Sequence, residues 1–117
     1  MAIEVTIYHR PTCSTSRKAL ELIRAQGIEP TVIDYGRVGW TKPQLQGLLK
    51  TMGVSARDIL RTRGTPAEDL GLTATDVSDD AILEAMVREP VLVERPIVVT
   101  SKGAVIARPV ERLLEVL

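Results

Sequence analysis

The pattern of apolar and polar residues divides the chain into an α/β beginning, a helical middle and a strand-rich end. Val5 to Tyr8 is a short apolar run rich in strand-forming residues. From Ser14 to Gln26 the spacing becomes helical, with Ser14 as the expected cap and Gly27 after the last turn. A second strand is predicted over Thr31 to Ile33. The strand–helix–strand order predicts a right-handed βαβ unit with parallel strands.

Residues 36–95 are expected to form a helical insertion. Apolar residues at i, i+3, i+4 and i+7 predict a helix between Thr41 and Gly53. The segment Ser55–Asp58 has the pattern of a capping box that opens a shorter helix. A further helix is predicted from Ser78 up to Pro90, where proline ends it.

The end of the chain returns to strands. Strands are predicted over Ile97 to Thr100 and Ala104 to Ala107, joined by a three-residue hairpin loop, Ser101–Gly103. Pro109 opens a closing helix whose expected inner face is Val110, Leu113, Leu114 and Leu117. The order βαβ, helical insertion, ββα predicts one α/β domain over 1–117, with a mixed four-stranded sheet and a thioredoxin-like fold.

Composition narrows the classes of function. The 117 residues are 44% hydrophobic, and 15 basic residues balance 15 acidic ones, so we expect no nucleic-acid or membrane partner. The beginning of the chain lacks the pattern of a signal peptide, and one cysteine cannot form an internal disulfide. We therefore expect a cytoplasmic protein. One Cys and one His are too few ligands for zinc, so no metal site is expected.

Cys13 is the candidate reactive group, because it lies between the first strand and the first helix. Unpaired N–H groups and the helix dipole at that point lower the pKa of a thiol. The hydroxyl groups of Ser14, Thr15 and Ser16 are further candidate donors to the thiolate. The alternative is an inert buried cysteine, and the polar sequence around Cys13 argues against it.

Two neighbours of Cys13 bear on its chemistry. Ser16 stands where a C-x-x-C motif has its second cysteine, so a thiol from another molecule must resolve any disulfide on Cys13, and glutathione is the commonest candidate. His9, the single histidine, is predicted to lower the pKa of the thiol as an imidazolium; a structural histidine on the surface or in the core is the equal alternative.

Three arginines stand out among the eleven by their positions: Arg61, Arg95 and Arg108. Arg61 ends the short helix of the insertion, and the other two directly precede Pro96 and Pro109. Guanidinium groups bind tetrahedral oxyanions through paired, charge-assisted hydrogen bonds. These three residues are therefore the candidate oxyanion ligands.

At these positions the sequence resembles the arsenate reductases that are coupled to glutathione and glutaredoxin, an ArsC-like family of the thioredoxin-like superfamily. The resemblance covers nearly the whole chain and is carried by six segments: 7–17, 29–30, 58–61, 68–72, 94–99 and 107–109. Ser14 stands where glycine is common in the family, and the chain stops at Leu117 without a longer tail. Both features are typical of a short branch of this family.

The resemblance implies a function and a set of roles. Cys13 attacks arsenate, Arg61, Arg95 and Arg108 hold the oxyanion, and His9 helps keep the thiol ionised. It also implies a cis peptide bond before Pro96. Glutathione is then a co-substrate, glutaredoxin is the redox partner, and no cofactor is tightly bound. We expect the protein to act as a monomer.

Two other functions fit the same residues. One is a glutathione-dependent thiol transferase that does not use arsenate, with the arginines binding glutathione carboxylates. The other is a transcription regulator that binds RNA polymerase under thiol stress, as related proteins of the superfamily do. Such regulators usually carry a C-x-x-C switch, which Ser16 excludes in this chain.

Overall fold

The structure is a computed structural model that describes residues 3–117. Its backbone forms two compact units. The first consists of the chain up to Val38 together with Arg95–Leu117, and the second is Gly39–Glu94. The second unit nearly coincides with the predicted insertion at 36–95, while a single domain over 1–117 stays a prediction.

The first unit is built on a mixed four-stranded sheet with the order β2-β1-β3-β4. Its strands are β1 (Thr6–His9), β2 (Thr31–Asp34), β3 (Ile97–Thr100) and β4 (Gly103–Ile106). Strand β1 pairs parallel to β2 and antiparallel to β3, and β3 pairs antiparallel to β4. The predicted α/β class with a mixed four-stranded sheet is confirmed.

Helix α1 (Ser14–Ala25) covers the sheet and ends where expected, at Gln26, with Gly27 at a φ of 79°. Nine buried residues form the core of this unit: Val5, Ile7, Ala19, Ile23, Val98, Val105, Ala107, Leu113 and Val116. A one-turn helix, α2 (Tyr35–Val38), follows β2 directly and was not predicted. The core therefore fixes the carboxyl end of β1 against the start of α1, which is where the candidate site lies.

Two predictions at the end of the chain are wrong. The hairpin loop has two residues rather than three, because Gly103 already pairs with Thr100. The closing element is a 3₁₀ helix, Val110–Glu115. With three residues per turn, its inner face recurs every third residue. Val116 is therefore buried with Leu113, whereas Leu114, predicted to face inward, is 48% exposed.

The second unit contains α3 (Lys42–Met52) and α4 (Asp79–Arg88), with 3₁₀ helices at Ala56–Ile59 and Pro90–Leu92. Thr41 caps α3 in a capping box with Gln44. The helix therefore begins directly after Thr41, as the sequence predicted. The Asp58 carboxylate accepts hydrogen bonds from the backbone N–H and the hydroxyl of Ser55, at 2.8 and 3.0 Å.

The prediction that the whole insertion is helical is wrong for 62–77, where the chain forms turns, bends and irregular structure but no helix. Backbone hydrogen bonds there span short loops, such as Leu72 N–H to the Ala67 carbonyl at 3.0 Å. Leu60 and Val93 form an isolated antiparallel bridge. In the part of the chain that the structure describes, no helix is long and apolar enough to cross a membrane.

Truncation of a core valine should destabilise the protein. Val98 is fully buried in β3, so Val98→Ala is expected to lower the free energy of unfolding by about 2 kcal/mol. Val38→Ala is the matched control, because Val38 is 63% exposed. Urea unfolding measures both. Equal losses in the two variants would contradict the core described above.

Candidate functional site

The site is built on the turn that joins β1 to α1. The backbone N–H of Cys13 donates to the carbonyl of Arg10 at 2.9 Å and closes this turn. Cys13 itself is the N-cap of α1, with φ −93° and ψ 121°, and its carbonyl accepts from Arg17 N–H at 3.0 Å. The predicted cap, Ser14, is instead the first helical residue. The thiol is thus placed directly at the unpaired N–H groups of the helix.

The Cys13 thiol is partly buried and its pKa is lowered. Burial alone raises the pKa, because a thiolate loses hydration. The backbone N–H of Ser16, the side chain of Arg95, the charge of Arg108 and the backbone N–H of Thr15 oppose burial and stabilise the thiolate. Their combined effect exceeds that of burial, so the pKa lies below the ordinary thiol value.

Arg108 is held by a defined pair of hydrogen bonds. Its Nη2 donates to Cys13 Sγ at 3.4 Å, and its Nε donates to the carbonyl oxygen of Arg95 at 2.6 Å. The two arginines are therefore linked to each other and to the sulfur. The Arg95–Pro96 peptide bond is cis, as the resemblance implies, and the Arg108–Pro109 bond is also cis.

Arg95 has donor capacity that the protein does not use. Its Nε is buried and has no hydrogen-bond partner among residues 3–117. A buried donor without an acceptor costs free energy, and an oxyanion bound beside Cys13 would supply that acceptor. The pair Arg95 and Arg108 therefore has the charge and the donors to receive a tetrahedral anion at the thiol.

His9 is a buried residue that contacts Ser16, and it is not among the groups that shift the pKa of Cys13. Its ring is 6% exposed, and Nδ1 lies 2.6 Å from the hydroxyl oxygen of Ser16. Burial lowers its pKa, Asp34 partly opposes this, and the charges of Arg17 and Arg24 lower the pKa further. The expected imidazolium beside the thiol is corrected to a neutral ring that contacts Ser16, because the effect of burial on the pKa exceeds that of the Asp34 charge.

The three hydroxyl residues after Cys13 contribute differently from the prediction. Ser16 Oγ accepts from the Arg10 backbone N–H at 3.0 Å and contacts His9, so its hydroxyl supports the loop, while its backbone N–H acts on the thiolate. Thr15 acts through its backbone N–H as well. The Ser14 side chain is exposed. A serine seven residues after the histidine was the available sequence signal for the His9–Ser16 contact, and it was missed.

Arg61, the third predicted oxyanion ligand, belongs to the second unit. Its Nη1 donates to Glu94 Oε1 at 3.0 Å, with the two side chains 13% and 26% exposed. Its Nε is buried and unpartnered among the described residues. Sequence reasoning missed Glu94 as the partner of this guanidinium. A role for Arg61 in binding the oxyanion stays a prediction.

The family is settled by comparison with known proteins. The profile of the ArsC family matches residues 8–116. The chain belongs to the ArsC family. It is 50% identical to "Arsenate reductase ArsI2" of Synechocystis sp. over 113 residues, which are 97% of this chain and 81% of the relative. It is 45% identical to an arsenate reductase of Escherichia coli strain K12, over 97% of this chain and 80% of the relative.

Solved structures agree with the ArsC assignment and with the fold. "Arsenate reductase from Vibrio cholerae" is 40% identical, with a TM-score of 0.95 and complete coverage of both chains. A putative arsenate reductase from Yersinia pestis is 42% identical, with a TM-score of 0.90, over 96% of this chain and 99% of that chain. The resemblance to ArsC-like proteins of thioredoxin-like fold is confirmed.

Removal of the Arg108 charge should raise the pKa of Cys13. Arg108→Ala deletes both the contact with Sγ and the positive charge, so the thiolate loses stabilisation. Titration of the ultraviolet absorbance of the thiolate measures this pKa. Arg112→Ala is the control, since Arg112 is exposed and pairs with Glu115. An unchanged pKa in Arg108→Ala would contradict the geometry.

Acidification should destabilise the protein through His9. Its pKa in the folded state lies below the ordinary value of 6.5, so the neutral ring stabilises the fold above that pH. This contribution is lost as the pH falls through the folded-state pKa. Between about pH 7 and pH 5, the free energy of unfolding measured in urea should therefore fall more steeply in the wild type than in His9→Gln. Equal slopes would refute a buried neutral His9.

Proposed function

We propose that this ArsC-family protein is an arsenate reductase, an oxidoreductase whose nucleophile is the Cys13 thiolate. The observation that carries the proposal is the pairing of Arg108 with Cys13 Sγ at 3.4 Å beside the unsatisfied buried Nε of Arg95. This arrangement provides an anionic nucleophile and cationic donors for a tetrahedral substrate. The choice of arsenate as the substrate is supported by relatives named arsenate reductases, which are 42–50% identical to this chain.

The first step joins sulfur to arsenic. The Cys13 thiolate attacks arsenate, an S–As bond forms, and one As–O bond breaks as that oxygen leaves with protons as water. Arg95 and Arg108 hold the remaining oxygens and compensate their negative charge in the transition state. Arsenic is still pentavalent in the resulting thiol–arsenate adduct.

The second step reduces arsenic and consumes glutathione. A glutathione thiolate attacks the sulfur of Cys13 and forms an S–S bond, while the electron pair of the S–As bond stays on arsenic. Arsenic becomes trivalent and leaves as arsenite, which takes up protons from water. Two electrons thus pass to arsenic, and Cys13 is left as a mixed disulfide with glutathione.

The third step restores the enzyme. The thiolate of a glutaredoxin attacks the glutathione sulfur of the mixed disulfide, so the Cys13 thiolate leaves and glutathione is transferred to glutaredoxin. Because Cys13 is the single cysteine, no thiol of the same chain can perform this step. Dependence on glutathione and glutaredoxin fits a protein of the reducing cytoplasm.

One assay distinguishes the proposed arsenate reductase from the alternative, a thiol transferase that does not use arsenate. Purified protein with glutathione, glutaredoxin and glutathione reductase should oxidise NADPH only when arsenate is present. Turnover of a glutathione mixed disulfide without any arsenate-dependent rate would support the transferase and reject the reductase.

Exchange of Arg95 for lysine should lower kcat/KM for arsenate by about 10- to 100-fold, because lysine retains the charge but lacks the planar fork and the Nε donor. The NADPH-coupled assay measures this loss. Arg37→Lys is the control, since Arg37 lies exposed in α2. Full arsenate activity in Arg95→Lys would contradict a role for the guanidinium.

A further inference from the structure

A groove in the first unit runs alongside α1 and shares Thr15 and Arg108 with the surroundings of the thiolate. One wall consists of Thr15, Lys18 and Leu22, and the other is the segment Arg108–Glu111. The cavity measures about 450 Å³, within the range of small-molecule sites. Thr15, Lys18 and Leu22 share one side of the helix because they are spaced by three and four residues. We call this cavity the Lys18 groove.

Two residues that line the Lys18 groove also act on the reactive sulfur. Arg108 lines the groove, and its Nη2 lies 3.4 Å from Cys13 Sγ. Thr15 also lines the groove, and its backbone N–H stabilises the thiolate. A molecule bound along the groove can therefore present a reactive atom to Cys13 from the side of Arg108.

Farther along, the groove carries one exposed charge of each sign. Lys18 lies on the helical wall and Glu111 on the opposite wall. Within residues 3–117, neither side chain has an ion-pair or hydrogen-bond partner. Leu22 and Val110 form a partly buried apolar floor that packs on the core. The lining therefore complements a ligand that has an ammonium group, a carboxylate and a short aliphatic chain.

We propose that the Lys18 groove is the binding site for the glutathione co-substrate. The carboxylate and the ammonium of its γ-glutamyl end pair with Lys18 and Glu111, and its thiol points past Thr15 and Arg108 toward Cys13. This assignment rests on the proposed function, in which a glutathione thiolate attacks the sulfur of Cys13.

The length of the groove matches this ligand. Thr15 and Lys18 are three residues apart on α1, a distance of about 4.5 Å along the helix axis. Two residues of an extended peptide span about 7 Å. The γ-glutamyl group can therefore reach Lys18 and Glu111 while the central cysteine lies next to Thr15. Among residues 3–117, neither charged side chain has a hydrogen bond or ion pair with Cys13, Arg95 or Arg108.

Charge reversal tests the assignment kinetically. Lys18→Glu and Glu111→Lys should each raise KM for glutathione about fivefold, since each removes one exposed ionic contact and adds a repulsion. KM for arsenate should stay unchanged. Lys50→Glu and Glu68→Lys are matched controls on exposed residues of the second unit. An unchanged KM for glutathione, or an equal increase in KM for arsenate, would overturn the assignment.

A binding experiment separates this inference from the proposed function. S-methylglutathione has no free thiol, so its binding requires no turnover. Titrated at millimolar concentration into the wild-type protein, it should give saturable NMR shifts at the backbone amides of Lys18, Leu22, Val110 and Glu111. Shifts elsewhere, or none, would overturn the groove assignment. A wild-type protein without arsenate-dependent turnover would overturn the proposed function alone.

Discussion

The site depends on keeping the sulfur of Cys13 ionised in a partly buried position. Burial favours the neutral thiol, so the pKa is lowered only if the effect of nearby donors and charges exceeds that of burial. Two backbone N–H groups at the start of α1 and the guanidinium groups of Arg95 and Arg108 supply them. Because Arg108 is fixed by the Arg95 carbonyl at 2.6 Å, the cations stay beside the sulfur without a bound ligand. The same groups that stabilise the thiolate are thus already placed to receive an anionic substrate.

Strong periodicity made most of the fold predictable. The apolar spacing of α1, the cap at Thr41 and the strand–helix–strand order all have local causes in the sequence, and the structure contains them. The closing helix was predicted, but its 3₁₀ geometry was not, because Val110 and Leu113 fit both a 3.6- and a 3.0-residue period. The choice between the two periods is made by packing against the sheet, where Val116 is buried and Leu114 is not.

The candidate site was predictable where position alone determines chemistry. A cysteine between a strand and a helix must meet unpaired N–H groups, so activation of Cys13 followed from the element order. The protonation state of His9 could not be predicted from the element order, since it depends on burial that only the tertiary fold creates. Nor does the order of residues show that the Arg95 carbonyl holds Arg108, because the two residues are thirteen positions apart and a hairpin lies between them.

The most direct test of an anionic sulfur beside cationic donors is the rate at which iodoacetamide alkylates Cys13, measured against pH with and without arsenate. The rate should reach its plateau at a pH below the range of an ordinary thiol titration, and arsenate should slow the reaction by occupying the site. A rate that follows an ordinary thiol titration and is indifferent to arsenate would contradict it.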